Sequence, residues 1–210
     1  MPAQPLPRIT PEEYLAADRA AEFKSEFYNG QMYAMAGGKA AHSAIIGNLT
    51  AGLHQALRDR PCVVYPTELR LRVSPTGWYT YPDIMVVCDE PRFADEQNDT
   101  LLNPTLIVEV LSPSTEAHDR GFKFAQYRKL DSLREYVLVS QSEPRVERFV
   151  RQPAARARAN HCRLKPPALR RMILLLQEAL CSTSECLHCS LSPLRCRSSA
   201  RRLSAISSAL

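Results

Sequence analysis

The segment Leu106-Ile107-Val108-Glu109-Val110-Leu111 constrains this chain more than any other. A short, almost continuous apolar run of this kind is typical of a central strand covered on both faces. Ile84 to Cys88 is a second such run, so the sequence predicts a sheet with layers packed on it. The remaining patterns supply those layers. Thr10-Pro11-Glu12-Glu13 begins a helix running to about Ala21: Thr10 caps, Pro11 fits the first helical position, and Glu13 completes a capping box. Asn29-Gly30, flanked by Lys24 to Tyr28 and Gln31 to Met35, predicts a β-hairpin with a type I′ turn. Ala41, Ile45, Leu49, Leu53 and Leu57 recur in steps of four, which makes 40–58 an amphipathic helix that ends before Pro61.

Strands are expected at Cys62 to Tyr65 and at Thr67 to Val73, the second alternating Leu69, Leu71 and Val73 with Glu68, Arg70 and Arg72 on a wet face. Asp89 to Asn103 reads as a polar surface loop. A helix capped by Ser114 or Thr115 runs from Glu116 to Leu130, and two strands follow at Glu135 to Ser140 and Arg145 to Val150. This order predicts a mixed sheet with helices packed on it.

Two acids stand where apolar residues belong. Asp83 opens the strand Ile84-Met85-Val86-Val87, and Glu109 lies inside the other central strand. A carboxylate there is unfavourable unless it is paired or holds a cation. Strand periodicity puts Ile107, Glu109 and Leu111 on one face. If Asp83 lies opposite Glu109, their oxygens converge where Mg²⁺ or Mn²⁺ could be held, an arrangement suited to phosphodiester hydrolysis. Asp119, Lys123 and Tyr127 recur at i, i+4 and i+8 on the next helix and could bring the cation such chemistry needs; read alone, Asp119 and Lys123 are an exposed helical ion pair.

Together, Glu26 to Met35, His42 with Asn48-Leu49, Tyr81-Pro82-Asp83-Ile84, Val108 to Thr115, and Asp119, Lys123 and Tyr127 resemble the Uma-two family, described as restriction endonucleases within the PD-(D/E)XK nuclease superfamily. The resemblance covers about residues 8–152. It implies an α/β (α+β), restriction-endonuclease-like mixed sheet flanked by helices, with an N-terminal helix and β-hairpin. It also implies Asp83 and Glu109 as ligands of Mg²⁺ (or Mn²⁺), Lys123 as the catalytic cation, and DNA as substrate. The superfamily usually places a Lys two residues after the Glu, where this chain has Leu111, and Lys123 is the expected replacement. Glu26 matches a position where such nucleases often add an acid near the metal. His42 is expected to touch a phosphate or to cap the second helix, the structural role being favoured. A homodimer is expected only by analogy with restriction-like enzymes that pair to cut two strands. The alternative, motivated by Leu111 in the usual Lys place and by the change of composition after residue 152, is a non-catalytic nucleic-acid-binding protein or degenerate remnant with a frameshifted C-terminus.

Composition divides the chain at residue 152. Residues 1–152 hold 17 Lys+Arg against 20 Asp+Glu, and residues 153–210 hold 10 against 2. All 7 Gly, 8 Tyr, 6 Phe and the Trp precede the break, so the overall charge of +5 belongs to the tail and lends the first part no DNA affinity. Five of the 7 Cys follow it, and Cys186-Leu187-His188-Cys189 with His161, Cys162, Cys181 and Cys196 could be read as a zinc site. The expected origin of 153–210 is a frameshifted translation, with an accessory tail and a zinc site as alternatives, and a helix is expected at Leu169 to Leu180. No apolar run reaches membrane-spanning length and no secretory signal opens the chain, so a cytoplasmic location is expected.

Overall fold

The structure is a computed structural model that describes residues 8–74 and 76–152. The expectations for 153–210 (the tail domain, its helix, the zinc reading and the frameshift) lie outside the described residues. Helix α1 (Pro11–Ala20) starts at the expected capping box, with Glu13 N–H donating to Thr10 Oγ1 at 3.2 Å and Thr10 N–H to Glu13 Oε2 at 2.7 Å. Strands β1 (Ser25–Tyr28) and β2 (Gln31–Ala34) form the hairpin, and Asn29 (φ 51°) and Gly30 (φ 80°) take the left-handed conformation that a type I′ turn requires. Helix α2 (Ala40–Ala56) leads to β3 (Val63–Pro66), β4 (Arg70–Val73), β5 (Trp78–Thr80), β6 (Ile84–Val87), β7 (Thr100–Leu101) and β8 (Leu106–Leu111). A helical segment follows as α3 (Glu116–His118), a π turn (Asp119–Lys123) and α4 (Phe124–Tyr127), before β9 (Glu135–Ser140) and β10 (Val146–Val150).

The expected mixed α+β fold is present, with two five-stranded mixed sheets in place of one. One has the order β2-β1-β5-β4-β7 and the other β10-β9-β8-β6-β3, with β8 and β9 parallel at the centre of the second. Both faces of that centre are covered, which is why its strands are apolar apart from Glu109 in β8 and the terminal Glu135 and Ser140 of β9. Val108, Val110, Ile84, Val86, Val137 and Val139 pack beneath Ile45, Ile46, Leu49 and Leu53 of α2. The alternate residues Ile107, Leu111, Met85, Val87, Tyr136 and Leu138 face Trp78, Leu71, Leu101 and Tyr127, joining the second sheet to the first and to α4. Burying each such aliphatic side chain contributes about 1.5–3 kcal/mol.

Several local expectations are corrected. The strand predicted from Thr67 begins only at Arg70, because Thr67 turns the chain at φ 28°. Arg70 is not on a wet face: it is 3% exposed and its guanidinium donates to Asp18 Oδ2 at 2.7 Å, to Tyr81 Oη at 3.0 Å and to Thr100 Oγ1 at 2.8 Å. Residues 89–103 contain β7, which pairs in parallel with β4, so the acidic stretch closes a sheet edge. The helix predicted to Leu130 ends at Tyr127 and contains the π turn. Thr115 caps it without a side-chain bond; instead Thr115 N–H donates to Ser112 Oγ at 3.2 Å. Cys62 and Cys88 extend the Val63↔Val87 register of β3 and β6 by one residue and form a disulfide that the sequence did not announce. No helix among the described residues is long and apolar enough to cross a membrane.

Candidate active site

The registers of β6 and β8 bring the two acids together. Ile84 pairs with Val108 in an antiparallel ladder, so Asp83, one residue earlier, falls opposite Glu109, which meets the condition set for their convergence. Asp83 Oδ2 accepts the Val110 N–H at 2.7 Å, which ties its side chain to the neighbouring strand. Its Oδ1 lies 3.0 Å from His42 Nε2 of α2.

Glu109 is 2% exposed, and its Oε1 accepts from Lys123 Nζ at 3.1 Å and from Tyr127 Oη at 2.7 Å, leaving Oε2 free of both. Both donors come from the helical segment after β8, where the π turn spans Asp119 to Lys123. Such turns shift the angular position of the residues that follow them and are frequent at functional sites. Asp119 and Lys123 are 2% and 8% exposed, so the exposed ion pair gives way to a buried one, Nζ lying 3.0 Å from Asp119 Oδ1. Glu26 joins from β1, accepting from Thr80 Oγ1 at 2.6 Å.

Four carboxylates therefore gather around one lysine, and the electrostatics follow. Burial pushes Glu109 up to about 8; Asp83 and Asp119 add to the rise, while Lys123 and the Tyr127 hydroxyl oppose it. Burial likewise raises Asp83, against the pull of the Val110 N–H, Lys123 and His42. Burial works to discharge Lys123, but Glu109, Asp119 and Glu26 outweigh it and hold it charged above the ordinary lysine range. Tyr127 is raised far above its ordinary value by burial and by Glu109, so it remains a hydrogen-bond donor.

This donor set fits a hard divalent cation, since the buried Glu109 and Asp119 share a single lysine and Asp83 lies opposite Glu109, so the acids outnumber the cation and favour added positive charge. Among the described residues no three His, Cys, Asp or Glu side chains form a ready cage.

Comparisons with known proteins agree with this architecture. The profile of the Uma2 family, described as "Putative restriction endonuclease", matches residues 11–176. The chain belongs to the Uma2 family. The match starts near the expected boundary and runs past the composition break at 152. Two relatives from Synechocystis sp. are described as uncharacterized proteins. One, slr1290, is 39% identical over 149 residues, 70% of this chain and 77% of the relative. The other, sll1609, is 38% identical over 141 residues, 67% of this chain and 80% of the relative. A crystal structure from Anabaena variabilis, described as a "putative nuclease belonging to DUF820", shares the fold with a TM-score of 0.54 at 20% identity, covering 80% of this chain and 99% of that one.

In this Uma2 chain the structure brings together all the residues singled out from sequence: Asp83, Glu109, Lys123, Asp119, Tyr127, Glu26 and His42. His42 departs from its favoured reading, because Lys39 occupies the N-cap of α2 and the imidazole turns to Asp83. Sequence reasoning missed Gln141, whose Nε2 lies 3.4 Å from His42 Nδ1 across 99 positions, a separation that no local pattern reports. It also missed the buried Asp18–Arg70 pair. Asp18 accepts from Tyr81 Oη, Arg70 and Ser25, and these bonds hold it below the usual carboxylate range despite burial. Because Tyr81 is two residues before Asp83, the pair anchors the segment that delivers the acid.

Proposed function

We propose that this protein is a divalent-metal-dependent endonuclease that hydrolyses DNA phosphodiester bonds. One observation carries the reading: Asp83 and Glu109 lie opposite each other on adjacent strands, with Lys123 3.1 Å from Glu109 Oε1. Asp83 and Glu109 would hold the cation, Mg²⁺ or Mn²⁺, and bound there it would polarise a phosphoryl oxygen and acidify a water. Val110 N–H and His42 keep Asp83 turned toward Glu109, and Tyr127 keeps Glu109 Oε1 engaged so that Oε2 is the oxygen left for the ion. Lys123 stays protonated in its ring of acids and stabilises negative charge developing at phosphorus. It takes over the part of the Lys that the superfamily pattern places where Leu111 stands. A homodimer acting on two strands is part of the proposal by analogy with restriction-like enzymes, and a cytoplasmic setting is carried over as the expectation from sequence.

The second reading, a non-catalytic nucleic-acid-binding remnant, is favoured by Leu111, and Lys123 beside Glu109 supports catalysis against it. Nicking of supercoiled plasmid separates the two. The protein is expected to nick with Mg²⁺ or Mn²⁺, to stop with EDTA, and to lose activity in Asp83→Ala and Glu109→Ala. Salt-sensitive DNA binding with no cleavage under any divalent metal would favour the remnant.

A further inference from the structure

We infer that Gln141 and His42 are positioning residues that form a relay fixing the Asp83 carboxylate for cation binding. The inference rests on the metal-dependent reading above and assigns a task to two residues outside the acid and lysine set. His42 occupies the first turn of α2, Gln141 immediately follows β9, and Asp83 precedes β6, so three elements meet at one imidazole. The ring is half-buried, with Nε2 3.0 Å from Asp83 Oδ1 and Nδ1 3.4 Å from Gln141 Nε2.

The protonation pattern follows from the partners. A carboxylate oxygen only accepts, so His42 donates through Nε2–H; the tautomer with its proton there leaves Nδ1 as an acceptor, which suits the Gln141 amide N–H. The chain of donors runs from Gln141 to His42 to Asp83. With Val110 N–H on Oδ2 and His42 on Oδ1, each oxygen of Asp83 has one bond that restrains its rotation and still has lone-pair capacity for an ion. Gly38 makes room for the ring: a Cβ there would come within 3.2 Å of His42 Cδ2. A helix cap would need none of this, and α2 has no side-chain cap bond. Partners that orient a ligating carboxylate typically change metal affinity about 10- to 100-fold when removed.

The test is calorimetric titration of Mn²⁺ into the full-length protein and three variants, with urea unfolding of the metal-free forms alongside. His42→Ala is expected to weaken Mn²⁺ binding about 10-fold or more. His42→Gln, which keeps a donor at the Nε2 position, should recover most of the affinity. Gln141→Leu should weaken binding less than His42→Ala, with the metal-free unfolding midpoint close to wild type. In nicking assays, raising Mn²⁺ should restore His42→Ala toward the wild-type rate with the KM for DNA little changed. Wild-type Mn²⁺ affinity in His42→Ala, or in Gln141→Leu, would overturn the relay. Loss of nicking that excess Mn²⁺ does not rescue would also overturn it, marking His42 as a residue that touches the substrate. Absence of Mn²⁺ binding in the wild type would instead overturn the metal-dependent reading on which the relay depends.

Discussion

Replacing Glu109 by Gln tests the electrostatics of the site without touching its shape. Protonated Glu and Gln are near-isosteric and neutral, so the variant mimics the acid form of the native site. Glu109 titrates near 8 in the folded chain against an ordinary 4.5, because burial and the facing Asp83 and Asp119 disfavour its charge. Between those values the native state keeps a proton that the unfolded chain has released, so stability falls as pH rises through the window. From pH 5 to pH 9 this is about 3 pH units at about 1.4 kcal/mol each, and allowing for relaxation around the Lys123 pair leaves about 2–4 kcal/mol. Glu109→Gln lacks this contribution. In EDTA the two proteins should have similar urea stability at pH 5, and at pH 9 the variant should be the more stable by that amount. The buried Trp78, the only tryptophan, reports unfolding by fluorescence. Added Mg²⁺ should stabilise the wild type at pH 9 and leave the variant almost unmoved. Parallel stability curves across pH 5–9 would refute the claim that Glu109 is a destabilised anion waiting for a cation.

Further outcomes follow from the same contacts. Lys123→Ala removes the only lysine among the four acids; it should lower kcat about 100- to 1,000-fold. It should also destabilise the fold by about 3–5 kcal/mol, more at pH 8 than at pH 5, as measured by urea unfolding. Arg70→Met strips Asp18 of its buried partner and should cost about 3–5 kcal/mol, with much of the loss recovered in the Arg70→Met, Asp18→Asn double variant; additive losses in that double-mutant cycle would show that the pair is not coupled. Reduction of Cys62–Cys88, or Cys62→Ser, should lower unfolding free energy by about 3 kcal/mol for the 26-residue separation, and an unchanged urea midpoint under reductant would show that the bond carries no stability. Such a bond persists in oxidising compartments and is reduced in the cytosol, so its state in protein isolated with thiols blocked also bears on the cytoplasmic expectation.

What was legible in the sequence was what depends on neighbours along the chain. Thr10 and Glu13 cap one turn, Asn29-Gly30 closes one hairpin, and alternation in Leu106–Leu111 puts Glu109 with Ile107 and Leu111 on one face. Because Asp83 opens one apolar strand and Glu109 lies inside the next, those local rules already picked out the two acids, while Lys123 was reached only through the family resemblance. Contacts that depend on how sheets and helices pack were not legible. Arg70 alternates as an exposed strand residue does, and only the packing of α1 over the first sheet buries it against Asp18. Cys62 and Cys88 become neighbours only once β3 pairs with β6. Gln141 and His42 meet because β9 sits beside β8 and α2 covers that sheet, a relation that neither residue's surroundings in sequence encode.

The central claim is that Asp83 and Glu109 form one cation site. Its most direct test is a Mn²⁺ titration of the wild type and of the Asp83→Asn, Glu109→Gln double variant, followed by calorimetry at pH 8. Saturable binding to the wild type and none to the double variant, with both proteins folded, is the expected result. Undiminished binding in the double variant, or none in the wild type, would contradict it.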